Sequence, residues 1–402
     1  MEFARLIGNI GTTVETKAEE LSLGGIFTDE YCVLPGLADV HVHLREPGFS
    51  KKETILTGTA AAAAGGFTDV CSMPNLDPVP HDLEALKQQL EIIKRDAKVR
   101  VHPYGSITFF QKGEKLAHME AMAPYVCAFS DDGKGVQDDG LMLEAMQEAK
   151  RLGKMIVAHC EDESLLFGGY IHKGSYAEAH GHRGICSESE WKQIERDLEL
   201  VAKSGCSYHV CHISTKEAVQ IIREAKASGI DVTCETGPHY LVADQSMLRE
   251  EGCWKMNPPL RDKADKEALL EGICDGTVDM IATDHAPHTA EEKAKGLEKS
   301  NFGITGLECA FPLMYTTLIK GGLMDMKQLL KLMAHNPRER FGLAKHKGDF
   351  TVFALGDFAV DAASFESMGK STFLDKWPVK AKCLVTYMDG APVWTAACAH
   401  NI

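Results

Sequence analysis

Short apolar runs and amphipathic segments alternate along most of this chain. The apolar runs are rich in β-branched residues and are typical of strands. They end near His43, Asn75, Ile107, Asp132, His159, His212, Thr236 and Asp284. Between most of them, apolar residues recur with helical spacing, at residues 53–64, 82–95, 140–152 and 216–228. Strands that alternate with helices predict parallel pairing with right-handed crossover connections.

Eight such strands in a chain of 402 residues favour a closed (β/α)8 barrel, in which helices surround a ring of parallel strands. A doubly wound open sheet is the alternative for this order of elements. A GxGxxG sequence, which would favour that alternative, does not follow the first strand. We therefore expect an α/β protein built on a (β/α)8 TIM-like barrel.

Composition narrows the range of functions. The chain is 44% hydrophobic and has a net charge of −15, which disfavours nucleic acid and anionic membranes, because clustered lysine and arginine bind phosphate. No apolar run approaches the ~20 residues of a membrane span, and the first residues lack the pattern of a signal peptide. Thirteen scattered cysteines without CxxC spacing indicate reduced thiols. We expect a cytoplasmic protein that acts on a small molecule, with no nucleic acid or membrane as partner.

His41 and His43 form a His-x-His sequence at the predicted end of the first strand. Residues two apart on a strand point to the same side, so both imidazoles can bind one divalent metal such as Zn²⁺. Taken alone, this sequence is a weak signal, and an exposed turn or a polar strand face explains it equally well.

Further metal-binding side chains stand at other strand ends. Asp132 ends the fourth strand, His159 the fifth, His212 the sixth and Asp284 the eighth. In a barrel all these ends open on one face. Any one of the histidines would more often be a structural residue, but four histidines and two aspartates at strand ends favour a site for two metal ions.

Several longer motifs identify a family. The chain resembles the amidohydrolase superfamily, and within it the bacterial dihydroorotases, from about residue 33 to residue 343. That family cyclises N-carbamoyl-L-aspartate to L-dihydroorotate, reversibly and with zinc, in de novo pyrimidine biosynthesis. The resemblance is carried by DVHVHLREPG at 39–48, MPN at 73–75, FSDDG at 129–133, AHCE at 158–161, CHIST at 211–215, KMNPPLR at 255–261 and ATDHAPH at 282–288.

The resemblance implies two Zn²⁺ ions and assigns their ligands. His41, His43 and Asp284 match the ligands of one ion, and His159 and His212 match those of the second. Many relatives bridge the two ions with a carboxylated lysine, but no lysine stands at the end of the fourth strand, so the chain resembles the subclass that uses aspartate. We expect Asp132 to be the bridge because of its spacing to His159; Asp131 remains open.

The resemblance also assigns substrate contacts. Arg45, Asn75 and His288 match positions that bind the substrate carboxylate, and Asn257 with the Phe302–Gly303 backbone matches contacts to the ring. Asp284 matches the catalytic residue that accepts a proton and returns it to the leaving nitrogen. From the residues alone, Asn75 would also serve as a cap, and Arg45 would also pair with the adjacent glutamate. Two further residues, Glu235 and His239, lie at the seventh strand end, where they would support the metal ligands.

The ends of the chain and one long connection lead to further expectations. Relatives build a small β-sandwich from both termini, so we expect residues 1–35 and 347–402 to form such a domain beside a barrel of residues 36–346. The segment before the first strand is shorter than the resemblance implies. After the eighth strand, residues 285–306 are polar and charged. This connection is interpreted either as a mobile lid or as a solvated surface loop, in which Lys293 and its neighbours face water.

Three other functions share parts of this pattern. A hydantoinase or dihydropyrimidinase would share the metal site, but usually keeps the lysine bridge and lacks the His-Leu-Arg sequence at 43–45. An allantoinase shares the first motif and matches the motifs at 73–75 and 284–288 less well. A non-catalytic, dihydroorotase-like partner of aspartate carbamoyltransferase would have lost metal ligands, whereas all six are present. A homodimer and an association with aspartate carbamoyltransferase are both compatible with the sequence.

Overall fold

Strands of two kinds, parallel and antiparallel, form the framework of the molecule. The structure is a computed structural model that describes residues 25–397. In this part of the chain the strands are β1 (Ile26–Phe27), β2 (Tyr31–Pro35), β3 (Leu37–Val42), β4 (Phe67–Ser72), β5 (Arg100–Pro103), β6 (Ile156–Ala158), β7 (Ile171–His172), β8 (Gly184–Ile185), β9 (Tyr208–Val210), β10 (Val232–Thr236), β11 (Met280–Ile281), β12 (Phe350–Ala359), β13 (Pro378–Met388) and β14 (Ala391–Thr395).

Helices follow most of the parallel strands. The α-helices are α1 (Ile55–Ala64), α2 (Leu83–Asp96), α3 (Met119–Met122), α4 (Asp139–Arg151), α5 (Ser175–His180), α6 (Glu188–Ser204), α7 (Lys216–Ala227), α8 (Pro238–Val242), α9 (Lys263–Asp275), α10 (Ala290–Lys293), α11 (Gly296–Lys299), α12 (Ala310–Met314), α13 (Met326–Leu330) and α14 (Asn336–Phe341). Helix α12 continues as π-helical turns at Tyr315–Lys320, and Lys331–His335 connects α13 to α14 in the same way. Within residues 25–397, none of these helices has the length and apolar character needed to span a bilayer.

Two parallel sheets carry most of the predicted strand ends. The first has the order β3-β4-β5, and the second has the order β11-β10-β9-β6. Isolated parallel bridges connect them: Phe129 pairs with Gly105 and with Ile156, and Val42 pairs with His285. Because all these pairings are parallel, the carboxyl ends of the strands lie on the same side of the molecule. The predicted α/β class is confirmed.

The predicted fourth strand, at residues 125–129, is less regular than expected. Ala123–Tyr125 forms a 3-10 turn with a proline at its second position, and proline cannot donate to a strand ladder. Backbone hydrogen bonds nevertheless connect the segment to both neighbours, from Gly105 N to Ala128 O (3.1 Å) and from Phe129 N to Met155 O (3.2 Å). The segment therefore occupies the predicted place between β5 and β6.

Helix boundaries agree closely with the sequence pattern. Helices α1, α2, α4 and α7 begin and end within two residues of the predicted segments. Each is preceded by a residue whose side chain accepts a hydrogen bond from a backbone N–H of the first turn: Thr54, Asp82, Asp138 and Thr215. These caps satisfy donors that the helix itself leaves unpaired.

A separate antiparallel sheet joins the two ends of the described chain. Its order is β1-β2-β12-β13-β14, so the segment that precedes the first parallel strand pairs with the C-terminal strands. The alternation of apolar and polar residues in the tail had predicted strands there, and β12, β13 and β14 confirm this. The expected sandwich extends over residues 1–24 and 398–402 as well, which lie outside the described residues.

One buried cation connects α14 to the start of the parallel strands. Arg338 is 5% exposed, and its guanidinium donates to Leu37 O at 3.2 Å, Thr68 Oγ1 at 2.8 Å and Asp69 Oδ2 at 2.7 Å. A further bond runs to Ala334 O at 2.9 Å. Asp69 is itself buried, so the ion pair fixes the helix to β3 and β4 at the side opposite the strand ends.

We predict that Arg338→Met lowers the free energy of unfolding by about 3 kcal/mol or more, because it removes the buried cation that lies nearest to the buried carboxylate of Asp69. Urea denaturation followed by circular dichroism measures this loss. The matched control is Arg223→Met, which removes a partly exposed pair with Asp275 and should cost about 1 kcal/mol or less. Equal effects of the two substitutions would contradict the anchoring role of Arg338.

Candidate functional site

Asp132 lies at the centre of a cluster of four histidines at the strand ends. Its Oδ1 atom is 3.3 Å from His41 Nε2, 3.6 Å from His212 Nε2 and 3.8 Å from His159 Nδ1. Its Oδ2 atom is 3.5 Å from His43 Nε2. All five side chains are buried. The structure thus brings both predicted histidine pairs to one carboxylate.

Asp284 lies beside only one of these pairs. Its Oδ1 atom is 3.0 Å from His43 Nε2 and 3.5 Å from His41 Nε2. The six predicted metal ligands therefore converge, and they do so in the two groups that the sequence predicted.

The neighbouring Asp131 has a different environment. Its carboxylate accepts hydrogen bonds from Ile107 N (2.8 Å), from Thr108 N (3.0 Å) and from the Thr108 hydroxyl. It therefore fixes the loop after β5 and faces away from the histidines. Of the two aspartates that the sequence left open, only Asp132 reaches the cluster.

A buried carboxylate orients His41 from behind. Glu235 Oε1 lies 2.6 Å from His41 Nδ1, and Oε2 lies 3.1 Å from His209 Nε2. Burial opposes ionisation of Glu235, but the two imidazoles lower its pKa to about 2. Because an ionised carboxylate only accepts hydrogen bonds, Nδ1 of His41 donates a proton to Glu235, and Nε2 faces the cluster. Glu235 thus lies in the position predicted for it, where it supports His41.

Two other side chains hold histidines in the same way. Asn75 Oδ1 lies 2.8 Å from His43 Nδ1, and Glu161 Oε2 lies 3.4 Å from His159 Nε2. The first contact shows that Asn75 does not cap the following segment. The second reveals a residue that sequence reasoning missed, although its position two residues after His159 placed it on the same side of the strand.

His239, the other residue predicted at the end of the seventh strand, is buried and packs its ring against Tyr240, with 4.0 Å between ring centroids. Its Nε2 atom has no hydrogen-bond partner among the described residues. Burial lowers its pKa to about 4, so the imidazole is neutral at pH 7. Unlike Glu235, His239 has no hydrogen bond through Nε2 to a predicted metal ligand among the described residues.

The centre has the donor set and the unmet polar atoms of a divalent-metal site. Two buried atoms, His41 Nε2 and Asp132 Oδ1, lack a hydrogen-bond partner among the described residues. His159 Nδ1 and His212 Nε2 face each other at 3.0 Å. Burial opposes the charge of Asp132, yet the nearby imidazoles of His41 and His212 hold the pKa of that carboxyl well below its usual value. Ionised carboxylates and imidazole nitrogens that converge in this way fit Zn²⁺ or a similar ion.

Backbone conformation also contributes to the convergence. Arg45, His212 and Asp284 have positive φ angles of 59°, 31° and 46°. Residues with a Cβ atom rarely adopt this left-handed region, and such conformations concentrate at functional sites. Each of the three lies just after a strand, where the turn redirects its side chain toward the centre.

The cluster opens into a cavity of about 180 Å³. The predicted substrate contacts all line it together with five of the six predicted metal ligands. Its lining consists of His43, Arg45, Asn75, Asp132, Gly133, His159, His212, Asn257, Asp284, Ala286, His288, Phe302 and Gly303. A small molecule in this cavity would therefore touch both groups.

Arg45 supplies a buried positive charge to the cavity. Its Nε donates to Pro287 O at 3.2 Å, and Nη2 lies 3.4 Å from His288 Nε2. Burial lowers the pKa of Arg45 only to about 10, so the guanidinium is charged at neutral pH. Glu46 instead accepts a hydrogen bond from Ile55 N at 2.9 Å; the alternative in which it pairs with Arg45 is wrong.

His288 and Asn257 form other parts of the wall. The Nε2 atom of His288 lies 2.7 Å from Phe302 O, and burial together with the charge of Arg45 lowers its pKa to about 3. The imidazole is therefore neutral and donates through Nε2. Asn257 Nδ2 donates to Glu161 Oε1 at 2.9 Å, which connects the ring-side wall to the support of His159.

The connection after β11 is partly ordered as helices α10 and α11. The expectation of a solvated loop is wrong for Lys293, which is 6% exposed, and holds for Glu291 and Lys295, which are exposed. No local pattern indicates this burial, because the lysine has charged neighbours on both sides.

Comparisons with known proteins identify relatives of this chain. The family model described as dihydro-orotase-like matches residues 31–218. A dihydroorotase of Enterococcus faecalis is 48% identical over 374 residues, which cover 90% of this chain and 87% of that protein. One of Bacillus caldolyticus is 47% identical over 392 residues, or 95% and 90% of the two chains.

Solved structures of related enzymes share the architecture. The L-hydantoinase of Arthrobacter aurescens superposes with a TM-score of 0.80 at 26% identity, over 90% of this chain and 84% of that one. The dihydropyrimidinase of Brevibacillus agri superposes with a TM-score of 0.78 at 20% identity and the same coverage. With nearly half of its residues identical to bacterial dihydroorotases over almost their whole length, the chain belongs to the dihydroorotase family.

Proposed function

We propose that this enzyme, a cyclic amidohydrolase, catalyses the reversible, zinc-dependent cyclisation of N-carbamoyl-L-aspartate to L-dihydroorotate. One observation carries the choice of substrate: the buried guanidinium of Arg45 lines the same cavity as the histidine–aspartate cluster. A planar guanidinium binds a carboxylate through two parallel hydrogen bonds. The preferred substrate is therefore a cyclic amide that carries a carboxylate.

The scaffold in this proposal is a closed (β/α)8 barrel of residues 36–346, with a small domain formed by residues 1–35 and 347–402. The bridges of Phe129 and the bridge from Val42 to His285 support closure, since they connect the two parallel sheets at both edges. The antiparallel sheet of β1, β2 and β12–β14 supports the second domain. The strand ends of such a barrel form the active-site face.

In the proposed centre, His41, His43 and Asp284 would hold one zinc ion, His159 and His212 would hold another, and Asp132 would be the ligand common to both. When bound, the ions polarise the amide carbonyl and provide a nucleophile at neutral pH. The chain itself orients the ligands: Glu235, Asn75 and Glu161 bind the histidine nitrogens that face away from the centre. These contacts fix three of the four imidazoles, those of His41, His43 and His159, before a metal binds.

Asp284 is the proposed proton carrier. Its carboxylate lies at the edge of the cavity, where one oxygen faces His43 and His41 and leaves the other available to the reacting groups. In ring opening it accepts the proton of the attacking water and delivers it to the leaving ring nitrogen. In ring closure the same carboxylate takes the proton from the carbamoyl nitrogen and delivers it to the departing water.

Substrate orientation follows from the two walls of the cavity. Arg45, with Asn75 and His288, holds the carboxylate, and Asn257 with the backbone of Phe302–Gly303 contacts the ring amides. A hydantoinase or dihydropyrimidinase acts on a ring without this carboxylate, so the buried charge of Arg45 would have no carboxylate to balance it. The homodimer and the association with aspartate carbamoyltransferase stay predictions.

The bridge assignment predicts different losses for the two adjacent aspartates. Asp132→Ala should lower the zinc content from about two ions per chain and reduce kcat to below about 1% of the native value, because this carboxylate faces both histidine pairs. Asp131→Ala, the matched control, should retain the metal, since that side chain binds the backbone at Ile107 and Thr108. Metal analysis and a dihydroorotate assay measure both, and the reverse ranking would transfer the bridge to Asp131.

Arg45→Lys keeps the charge but loses the planar pair of donors. We expect kcat/KM for dihydroorotate to fall by about 10- to 100-fold, the range for one or two lost bonds to a charged group. The native enzyme should turn over dihydrouracil, hydantoin and allantoin poorly. Faster turnover of dihydrouracil than of dihydroorotate would replace the proposed function with that of a dihydropyrimidinase.

The two roles of Asp284 can be separated by substitution. Asp284→Asn keeps an oxygen ligand but cannot accept a proton, so it should keep much of the zinc and lose about 10²- to 10⁴-fold in kcat in both directions. Asp284→Ala should lose zinc as well. Near-native turnover by zinc-loaded Asp284→Asn would leave this residue as a ligand only.

A further inference from the structure

Lys293 places a buried ammonium group among backbone carbonyls. Its Nζ atom donates to Gly303 O at 2.7 Å, to Asn301 O at 2.8 Å and to Lys255 O at 3.0 Å. An ammonium group has three donors, and all three are used. The side chain makes these bonds from the end of α10, across the connection that follows the eighth predicted strand.

The three acceptors belong to the two segments that form the ring side of the cavity. Asn301 and Gly303 flank Phe302, and Lys255 lies two residues before Asn257. Gly303 N also donates to Lys255 O at 3.0 Å. Lys293 thus bonds to backbone on both segments.

The backbone at Gly303 has little conformational freedom. Its φ angle is +126°, and a Cβ atom there would lie 2.6 Å from Ala286 O. Only glycine accommodates both the conformation and the close approach. The backbone at Phe302–Gly303 is therefore held by Lys293 on one side and by the chain at Ala286 on the other.

We propose that Lys293 is a positioning residue that fixes Asn257 and the Phe302–Gly303 backbone as a preformed site for the substrate ring. The proposal rests on the proposed function, because it takes these groups as the ring contacts. It also makes this part of the 285–306 connection a fixed wall of the cavity and not a mobile lid.

The other buried lysine nearby does not duplicate this role. Lys255 Nζ donates to Glu298 O at 2.8 Å and lies 4.4 Å from the centroid of the Phe302 ring. It therefore contacts the side chain of Phe302, whereas Lys293 binds the backbone around it. Removal of the Lys293 ammonium leaves the carbonyls of Asn301 and Gly303 without this donor, and a backbone in that state relaxes toward other partners.

The test compares Lys293→Met with Lys295→Met in the full-length, zinc-loaded enzyme. Methionine fills the volume of the lysine stem but donates no hydrogen bond, and Lys295 is an exposed lysine two residues away. We expect Lys293→Met to raise KM for dihydroorotate about tenfold with less than a threefold change in kcat, since ring contacts act in the ground state and the transition state alike. Zinc content should stay native, and Lys295→Met should match the native enzyme in every respect.

An unchanged KM in folded Lys293→Met, or parallel losses of kcat and zinc, would overturn the proposal. Two measurements on the native enzyme test it even if the variant does not fold. Amine acetylation mapped by mass spectrometry should modify Lys295 and spare Lys293, and hydrogen exchange at the Gly303 amide without substrate should be as slow as in the parallel strands. Rapid labelling of Lys293 or rapid exchange at Gly303 would reject a preformed wall. Absence of native turnover with dihydroorotate would instead reject the proposed function, and would leave the labelling and exchange results readable.

Discussion

The structure depends on the burial of carboxylates among imidazoles at the ends of parallel strands. A buried ionised carboxylate costs several kcal/mol unless positive charge or hydrogen bonds compensate it. Asp132 and Asp284 meet this requirement by facing His41 and His43, and the unpartnered nitrogen and oxygen atoms at the centre leave room for a metal cation to complete the compensation. Three of the four histidines are also held by an acceptor behind the ring, namely Glu235, Asn75 and Glu161. The parallel strands place all these groups on one side of the molecule.

The strands alone do not determine which side chains point into the cavity. Arg45, His212 and Asp284 adopt positive φ angles, so the turns after three separate strands redirect a side chain into the cavity. Such conformations persist only where surrounding contacts enforce them. Here the bond from Arg45 to Pro287 O and the contact of Asp284 with His43 enforce two of them. The site is therefore set by long-range contacts between loops as much as by the regular sheet.

The alternation of apolar runs and helical patterns was sufficient to predict the α/β class and the main helix boundaries, and residue types at the strand ends indicated six candidate ligands, which the structure brings together. Periodicity reports which side chains share a face, so it could not choose between Asp131 and Asp132, which are adjacent at the end of an irregular strand. It also could not find Glu161, the second role of Asn75 or the burial of Lys293. Each of these depends on a partner far away in sequence, such as Lys255 O for Lys293, and no local pattern encodes that partner.

The charge balance of the cavity explains why His288, which lies beside Arg45, is neutral. Two buried cations 3.4 Å apart would repel each other strongly, and the pKa of His288, lowered to about 3, avoids this repulsion. In this structure its Nε2 atom donates to Phe302 O, and the imidazole adds no charge beside Arg45. Arg45 bonds on one side to a neutral carbonyl, Pro287 O, and has no carboxylate partner within hydrogen-bond distance among the described residues. A ligand carboxylate would supply the missing negative charge, and a neutral ring would enter the same cavity without that gain. Selectivity for an acidic ring thus follows because no carboxylate of the described residues pairs with Arg45, and the substrate carboxylate balances the charge of its guanidinium.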